Sequence, residues 1–228
     1  MRFEGPLLPA TFRGRPNRFL GVAKVDHGLA QCYIPNPGRL RELLYPDAEV
    51  YLLEKASEDR RTRFDLVLAS SGTTLVSIDS RAPNKVVGEA IDAGMLLEFR
   101  GLRIEKRETV FDDSRLDFLL AGDPGSMYVE VKSCTLVKGW TALFPDAPTT
   151  RGTRHIHALI SALEKGRSAL FFLIQRSDAD LFSPNDEADP LFSSALREAV
   201  ELGVEVYAYN SEVTLEGISV GKRVHIEL

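Results

Sequence analysis

The sequence predicts an α/β protein built in two parts, an all-β front over residues 1–82 and an α/β rear over 83–228. Three observations predict it. The front holds short β-like runs separated by Gly, Pro and Asn turns, which suits a small barrel or sandwich. The rear alternates segments of helical apolar spacing with apolar runs of strand length. The 228 residues, 44% hydrophobic and 27% charged, fit an ordinary soluble globular chain with room for one large domain or two small ones.

In the front, strands are expected over 19–25, 28–34, 48–54, 64–70 and 74–79. A helix is expected from Pro83-Asn84 through Val86, Val87, Ala90, Ile91, Met95 and Leu96, all at helical spacing. Strands follow over 103–110, 115–120 and 127–133, then a helix over 151–166. The apolar strand 168–175, a helix over 189–202 and a strand over 204–209 complete the expected order. Residues 135–150 read as one long loop, and loops of that length are uncommon unless functional.

Composition excludes several classes. Cys32 and Cys134 are the only cysteines, so there is neither a disulfide framework nor a CxxC zinc pattern, and a cytoplasmic location is expected. The N-terminal segment lacks the pattern of a signal peptide, and the densest apolar run, 169–174, is too short for a bilayer, so no membrane partner is expected. The net charge of −5 argues mildly against a nucleic-acid partner. Its distribution softens that, because residues 1–82 hold 12 basic against 10 acidic side chains and the remainder 16 against 23.

The most informative stretch is SRLDFLLAGDPGSMYVEVK. Gly122-Asp123-Pro124-Gly125 is a turn between two alternating strands. Centred on Asp123-Pro124, the hairpin pairs Leu116 with Val131, Phe118 with Val129 and Leu120 with Met127. On its other face Asp117 falls opposite Glu130, and Arg115 opposite Lys132. Opposed carboxylates repel, so one is protonated or a cation sits between them. Mg²⁺ prefers such oxygen ligands, and Lys132 projects to the same face. Asp117, Glu130 and Lys132 therefore make a candidate phosphodiester-cleaving set. A solvated charged face is the competing reading.

Asp117…Glu130-Val131-Lys132 resembles the PD-(D/E)XK nuclease superfamily. Nearly the whole chain resembles the sugar fermentation stimulation protein family. The matching segments are NRFL at 17–20, PNPGRL at 35–40, PNKVVGEAI at 83–91, SRLDFLL at 114–120, YVEVKSCTL at 128–136, FPDAPTTRGTRHI at 144–156 and DP…GVEVYAY over 189–209. The resemblance implies an OB-like barrel over 1–82, then a nuclease-like PD-(D/E)XK mixed sheet flanked by helices over 83–228. It also implies DNA binding and a link to sugar metabolism. Its Glu-bearing helix implies Glu89 as a third carboxylate acting on the metal through water, with Glu98 a weaker candidate. Two positions depart from the family pattern: Pro37 stands for Thr in PNTG, and Thr153 for Gln in RGQKHL, where Arg154 keeps the positive charge.

The expected assignment is a DNA-binding protein with an Mg²⁺ or Mn²⁺ site at Asp117, Glu130 and Glu89, and with Lys132 positioning the attacking water. The enzyme reading is a metal-dependent DNA endonuclease; the alternative is a non-catalytic DNA-binding regulator on the same scaffold. Arg151 and His155, four apart near a helix start, are expected to hold phosphate, with Arg154 beside them. In the front, Arg13, Arg15, Arg18 and Arg39, with Arg41, lie among Phe12, Phe19 and Tyr33, a mixture that suits single-strand or backbone binding. Trp140 is expected either to stack on a base or, slightly favoured, to plug the core. The oligomeric state, a homodimer included, stays open.

Overall fold

The computed structural model describes residues 1–26, 28–55, 60–123 and 125–228. Its front is a closed five-stranded barrel. β1 (Leu7–Asn17) pairs with β2 (Leu20–Val25), which pairs with β3 (Gly28–Tyr33). β4 (Glu49–Glu54) pairs with the other side of β1 and with β5 (Phe64–Ser71). Parallel pairing of Cys32 and Tyr33 with Phe64 and Asp65 closes the ring. β6 (Thr74–Ser77) extends from β5. Phe12, Ile34, Leu43, Val50, Leu52 and Leu66 fill the interior.

The first strand was not expected from the sequence, although it is the longest of the barrel. Pro9, Gly14 and Pro16 interrupt its pattern, and its pairing with β2 shifts register at Phe12/Gly14 and Gly14/Asn17. Such bulges bend a strand, as closing a small barrel requires. Pro9 lies in the stretch that pairs with β4 alone, where a missing N–H costs least.

The rear begins with α1 (Ala82–Asp92), which has Pro in its first turn. It ends earlier than its apolar spacing predicts. Gly94 turns the chain at φ +67, Met95 is exposed, and a 3-10 turn spans Leu97–Phe99. β7 (Leu102–Phe111), β8 (Ser114–Gly122) and β9 (Gly125–Cys134) form an antiparallel meander. β10 (Val137–Lys138) and β11 (Thr141–Phe144) then make a small hairpin inside the expected loop 135–150.

α2 (Thr150–Ala162) crosses from β9 to β12 (Arg167–Ile174), which pairs parallel with β9. β13 (Leu181–Pro184) joins β11, and α3 (Pro190–Glu201) crosses to β14 (Glu205–Val213), parallel to β12. β15 (Ile218–Arg223) flanks β14, and β16 (His225–Ile226) flanks β13. The main rear sheet runs β15-β14-β12-β9-β8-β7.

Helices cover both faces of that sheet, which explains why β12 reads as an unbroken apolar run. Ala169, Phe171 and Leu173 pack with Val87, Ala90 and Ile91 of α1. Leu170, Phe172 and Ile174 pack with Ile156 and Leu159 of α2 and with Phe192 and Leu196 of α3. No helix among the described residues is long and apolar enough to cross a membrane.

Barrel and rear sheet are joined beside the end of β9. Ser77 Oγ donates to Gln175 Oε1 at 2.9 Å, and Gln175 Nε2 donates to Ser133 Oγ at 2.9 Å. The Arg39 amide donates to Asp146 Oδ2 at 3.2 Å.

Candidate functional site

The hairpin register agrees with the sequence next to the turn and departs from it at the site. Pro124, half of its proposed centre, lies outside the described residues. The ladder runs from Gly122↔Gly125 to Phe118↔Val129 and, among the described residues, ends there. The next contact uses a side chain: the Val131 amide donates to Asp117 Oδ2 at 2.7 Å. β9 meanwhile stays paired with β12 from Met127 to Cys134. The strands therefore part at Asp117, whose carboxylate replaces a backbone acceptor. Leu116 and Val131 do not face each other, since Leu116 packs on the α2 side and Val131 on the α1 side. Arg115 does not oppose Lys132 but pairs at the surface with Glu108, 3.2 Å away.

The parted strands are filled from two directions. From α1, Asn84 Nδ2 donates to Asp117 Oδ1. From α2, His155 Nδ1 bonds to Glu130 Oε1. Lys132 Nζ donates to the same Oε1 at 2.6 Å. Glu130 is only 4% exposed, and its Oε2 is buried without a partner.

Burial, then the negative charge of Glu130, push the Asp117 carboxyl up to about 7, against the bonds from Val131 and Asn84. Burial also acts upward on Glu130, but Lys132 and His155 outweigh it and hold that carboxyl below its ordinary value. The centre thus contains one buried carboxylate, one partly buried carboxylate and one ammonium, and is short of positive charge.

Other expected site residues fall in different places. Glu89 is half exposed and pairs with the Met1 amine at 2.7 Å, so the α1 residue that reaches the site is Asn84. Glu98 is engaged by Tyr209 and Arg223, at the β14–β15 edge of the sheet. His155 is buried with both ring nitrogens engaged, which removes it from phosphate contact; the Arg151 Nε–H donates to its Nε2 at 3.3 Å. Arg151 and Arg154 are exposed on the first turns of α2. Among the described residues, no three His, Cys, Asp or Glu side chains converge as a metal-binding group.

In the barrel, Arg15 is a structural clamp rather than a free cation. Its Nη1 donates to the carbonyls of Gly38 and Arg39, and its Nη2 to those of Arg18 and Asn36, at 2.6–2.8 Å. Arg13 pairs with Asp47, while Arg18 and Arg39 are exposed. Arg18 lies over the Phe19 ring, which stacks on Tyr33 with centroids 6.1 Å apart. Trp140 is 71% exposed at the tip of the β10–β11 hairpin, so the core-plug expectation fails.

The sequence reading missed Asn84 as a site residue. Pro83-Asn84 was visible as a helix start, but nothing local shows that this amide meets a carboxylate 33 residues away.

A closed OB barrel followed by a helix-flanked mixed sheet, with Asp–Glu-x-Lys at a parted hairpin, defines the class of the molecule. Within that class, the chain belongs to the sugar fermentation stimulation protein family. The family models "SfsA N-terminal OB domain" and "Sugar fermentation stimulation protein RE domain" match residues 14–78 and 81–217. A sugar fermentation stimulation protein homolog of Moorella thermoacetica is 47% identical, covering 97% of each chain. One of Caldanaerobacter subterraneus subsp. tengcongensis is 42% identical over the full length of both. The structure of Pyrococcus furiosus SfsA in complex with Ca²⁺ is 34% identical, with a TM-score of 0.93 over 100% of this chain and 98% of that one.

Proposed function

We propose that this chain is a cytoplasmic DNA-binding protein whose rear domain, 83–228, cleaves phosphodiester bonds with a divalent cation held by Asp117 and Glu130. The observation that carries the reading is the uncompensated carboxylate pair, with Glu130 Oε2 buried and unpartnered and Asp117 pushed up by burial and by Glu130. A hard cation answers both features, and Mg²⁺ or Mn²⁺ suits an oxygen donor set. The Ca²⁺ complex of the Pyrococcus furiosus relative supports a divalent cation at this fold. When bound, the cation supplies Lewis-acid polarisation of a phosphoryl oxygen.

The chain's own groups do the remaining work in this reading. Lys132 brings an ammonium to the carboxylate pair, where it orients a water and offsets charge gathering on phosphate. Arg151 and Arg154 offer exposed guanidinium groups to the DNA backbone. The barrel, proposed as a nucleic-acid-binding domain over 1–82, contributes the Phe19–Tyr33 stack with Arg18, a surface suited to unpaired bases and phosphate. Both cysteines are free and buried, in keeping with a reducing compartment.

A second reading, a DNA-binding regulator without catalysis, draws on the lack of a third convergent metal ligand among the described residues. The two are separated by incubating single-stranded, duplex and branched DNA with Mg²⁺ or Mn²⁺. The expected result is that wild type cuts at least one substrate and Lys132→Ala binds it with cleavage reduced at least ~100-fold. DNA retention with no cutting by wild type establishes the regulator reading. Cleavage that survives Lys132→Ala overturns the proposed role of the lysine.

A further inference from the structure

His155 and Arg151 lie behind the carboxylates, and the chemistry of their nitrogens fixes how they act. An arginine Nε–H only donates. The 3.3 Å contact from Arg151 Nε to His155 Nε2 therefore needs Nε2 to be an acceptor, with no proton on it. The ring proton then sits on Nδ1, and Nδ1–H donates to Glu130 Oε1. Lys132 Nζ, 3.4 Å from Nδ1, is a second donor to the same oxygen. One oxygen of Glu130 is thus held by two donors, and Oε2 is left free and buried.

We infer that Arg151 and His155 form a positioning relay: Arg151 sets the His155 tautomer, and His155 holds Glu130 Oε1 so that Oε2 is presented to a divalent cation. The cation step rests on the reading proposed above; the tautomer relay does not. Burial makes the relay rigid, because His155 is 3% exposed and sits on the inner face of α2 between Gly152 and Ile156, which are also buried. Outer partners of this kind orient a ligand and raise its affinity for metal. Arg151, at the surface, also gives the relay an exposed end where a DNA phosphate competes for the guanidinium.

Two measurements on the full chain test this. The first is the ¹⁵N spectrum of the His155 ring in the metal-free protein. The Nδ1–H tautomer is expected in wild type, and Arg151→Met, an exposed change, is expected to lose that single tautomer. An Nε2–H ring or a doubly protonated ring in wild type, or a spectrum unmoved by Arg151→Met, overturns the relay. The second is calorimetric titration with Mn²⁺ alone. His155→Ala is expected to weaken binding by about 10–100-fold. His155→Asn, whose Nδ2 stands where Nδ1 stood, is expected to retain most of the affinity. Wild-type affinity in the Ala variant, or an Asn variant no better than Ala, rejects the positioning of Glu130. If wild type binds no Mn²⁺, the cation reading fails and the ring spectrum alone decides the relay.

Discussion

Two buried carboxylate centres of this molecule are built in opposite ways. In the barrel, Asp65 is 1% exposed, and its two oxygens are taken by Arg60 and Arg81. Arg15 in the same domain meets four carbonyls through its two Nη groups, although its Nε is buried without a partner. At the mouth of the β8–β9 hairpin, Asp117 and Glu130 share one ammonium, and one oxygen has no partner. Burying charge is tolerated where donors match acceptors and costly where they do not. The Asp65 carboxylate has both oxygens partnered without a ligand; the Glu130 carboxylate does not. That difference, more than the presence of charge, separates a structural centre from a candidate functional one.

The contrast is broken most directly by pH. The Asp117 carboxyl stands at about 7 in the fold against an ordinary 3.8, so the folded protein binds more protons than the unfolded chain between those values. Its stability without metal therefore falls as pH rises from about 4 to 7 and levels off above, by at most about 4 kcal/mol at about 1.4 kcal/mol per unit. Glu130, shifted downward from an ordinary 4.5, acts with the opposite sign only at the acid foot of this window and leaves the fall from about 5 to 7 unmasked. Asp117→Asn is expected to remove the slope, and saturating Mn²⁺ to offset it in wild type. Urea denaturation across the range reads both, and parallel wild-type and variant curves sink the idea.

A smaller effect sharpens the comparison from the barrel side. Arg15→Ala removes four bonds from a charged donor and is expected to cost about 3 kcal/mol. Arg18→Ala, at the exposed Phe19–Tyr33 stack, is expected to stay within about 0.5 kcal/mol of wild type. DNA affinity should rank Arg18 as the binding residue, with the logarithmic salt slope reduced by roughly one in Arg18→Ala. Equal stability losses in the two variants, measured by denaturant melts, erase the distinction between clamp and contact.

The smallest expected effect belongs to Glu89. Glu89→Gln is expected to change stability by no more than about 0.5 kcal/mol and to leave Mn²⁺ affinity unchanged, because its carboxylate is half exposed and paired with Met1. A clear loss of Mn²⁺ binding in that variant returns Glu89 to the cation shell.

Much of the rear sheet was legible in advance. The spacing of Val86, Val87, Ala90 and Ile91 marked α1, and the run 168–175 marked a buried strand. Misreadings cluster where geometry departs from simple periods. β1 was hidden by Pro9, Gly14, Pro16 and its register shifts. The β10–β11 hairpin was too short to leave a period, and Trp140 at its tip reads like core although it is exposed.

The sequence by itself determined the chemistry available and its local register. Phe118↔Val129 and Leu120↔Met127 follow from alternation about the turn; Asp117 and Glu130 lie beyond the end of that ladder, yet close enough for Glu130 to raise the Asp117 carboxyl. Only the tertiary structure decided what those carboxylates meet. Asn84 and His155 arrive from helices 33 and 25 residues away, and the strands part because Asp117 takes the Val131 amide. It also decided that Arg15 is consumed by loop carbonyls while Arg18 stays exposed. The reason is physical: a strand's period of two encodes which face a side chain takes, whereas its partners are set by how distant elements pack onto that face.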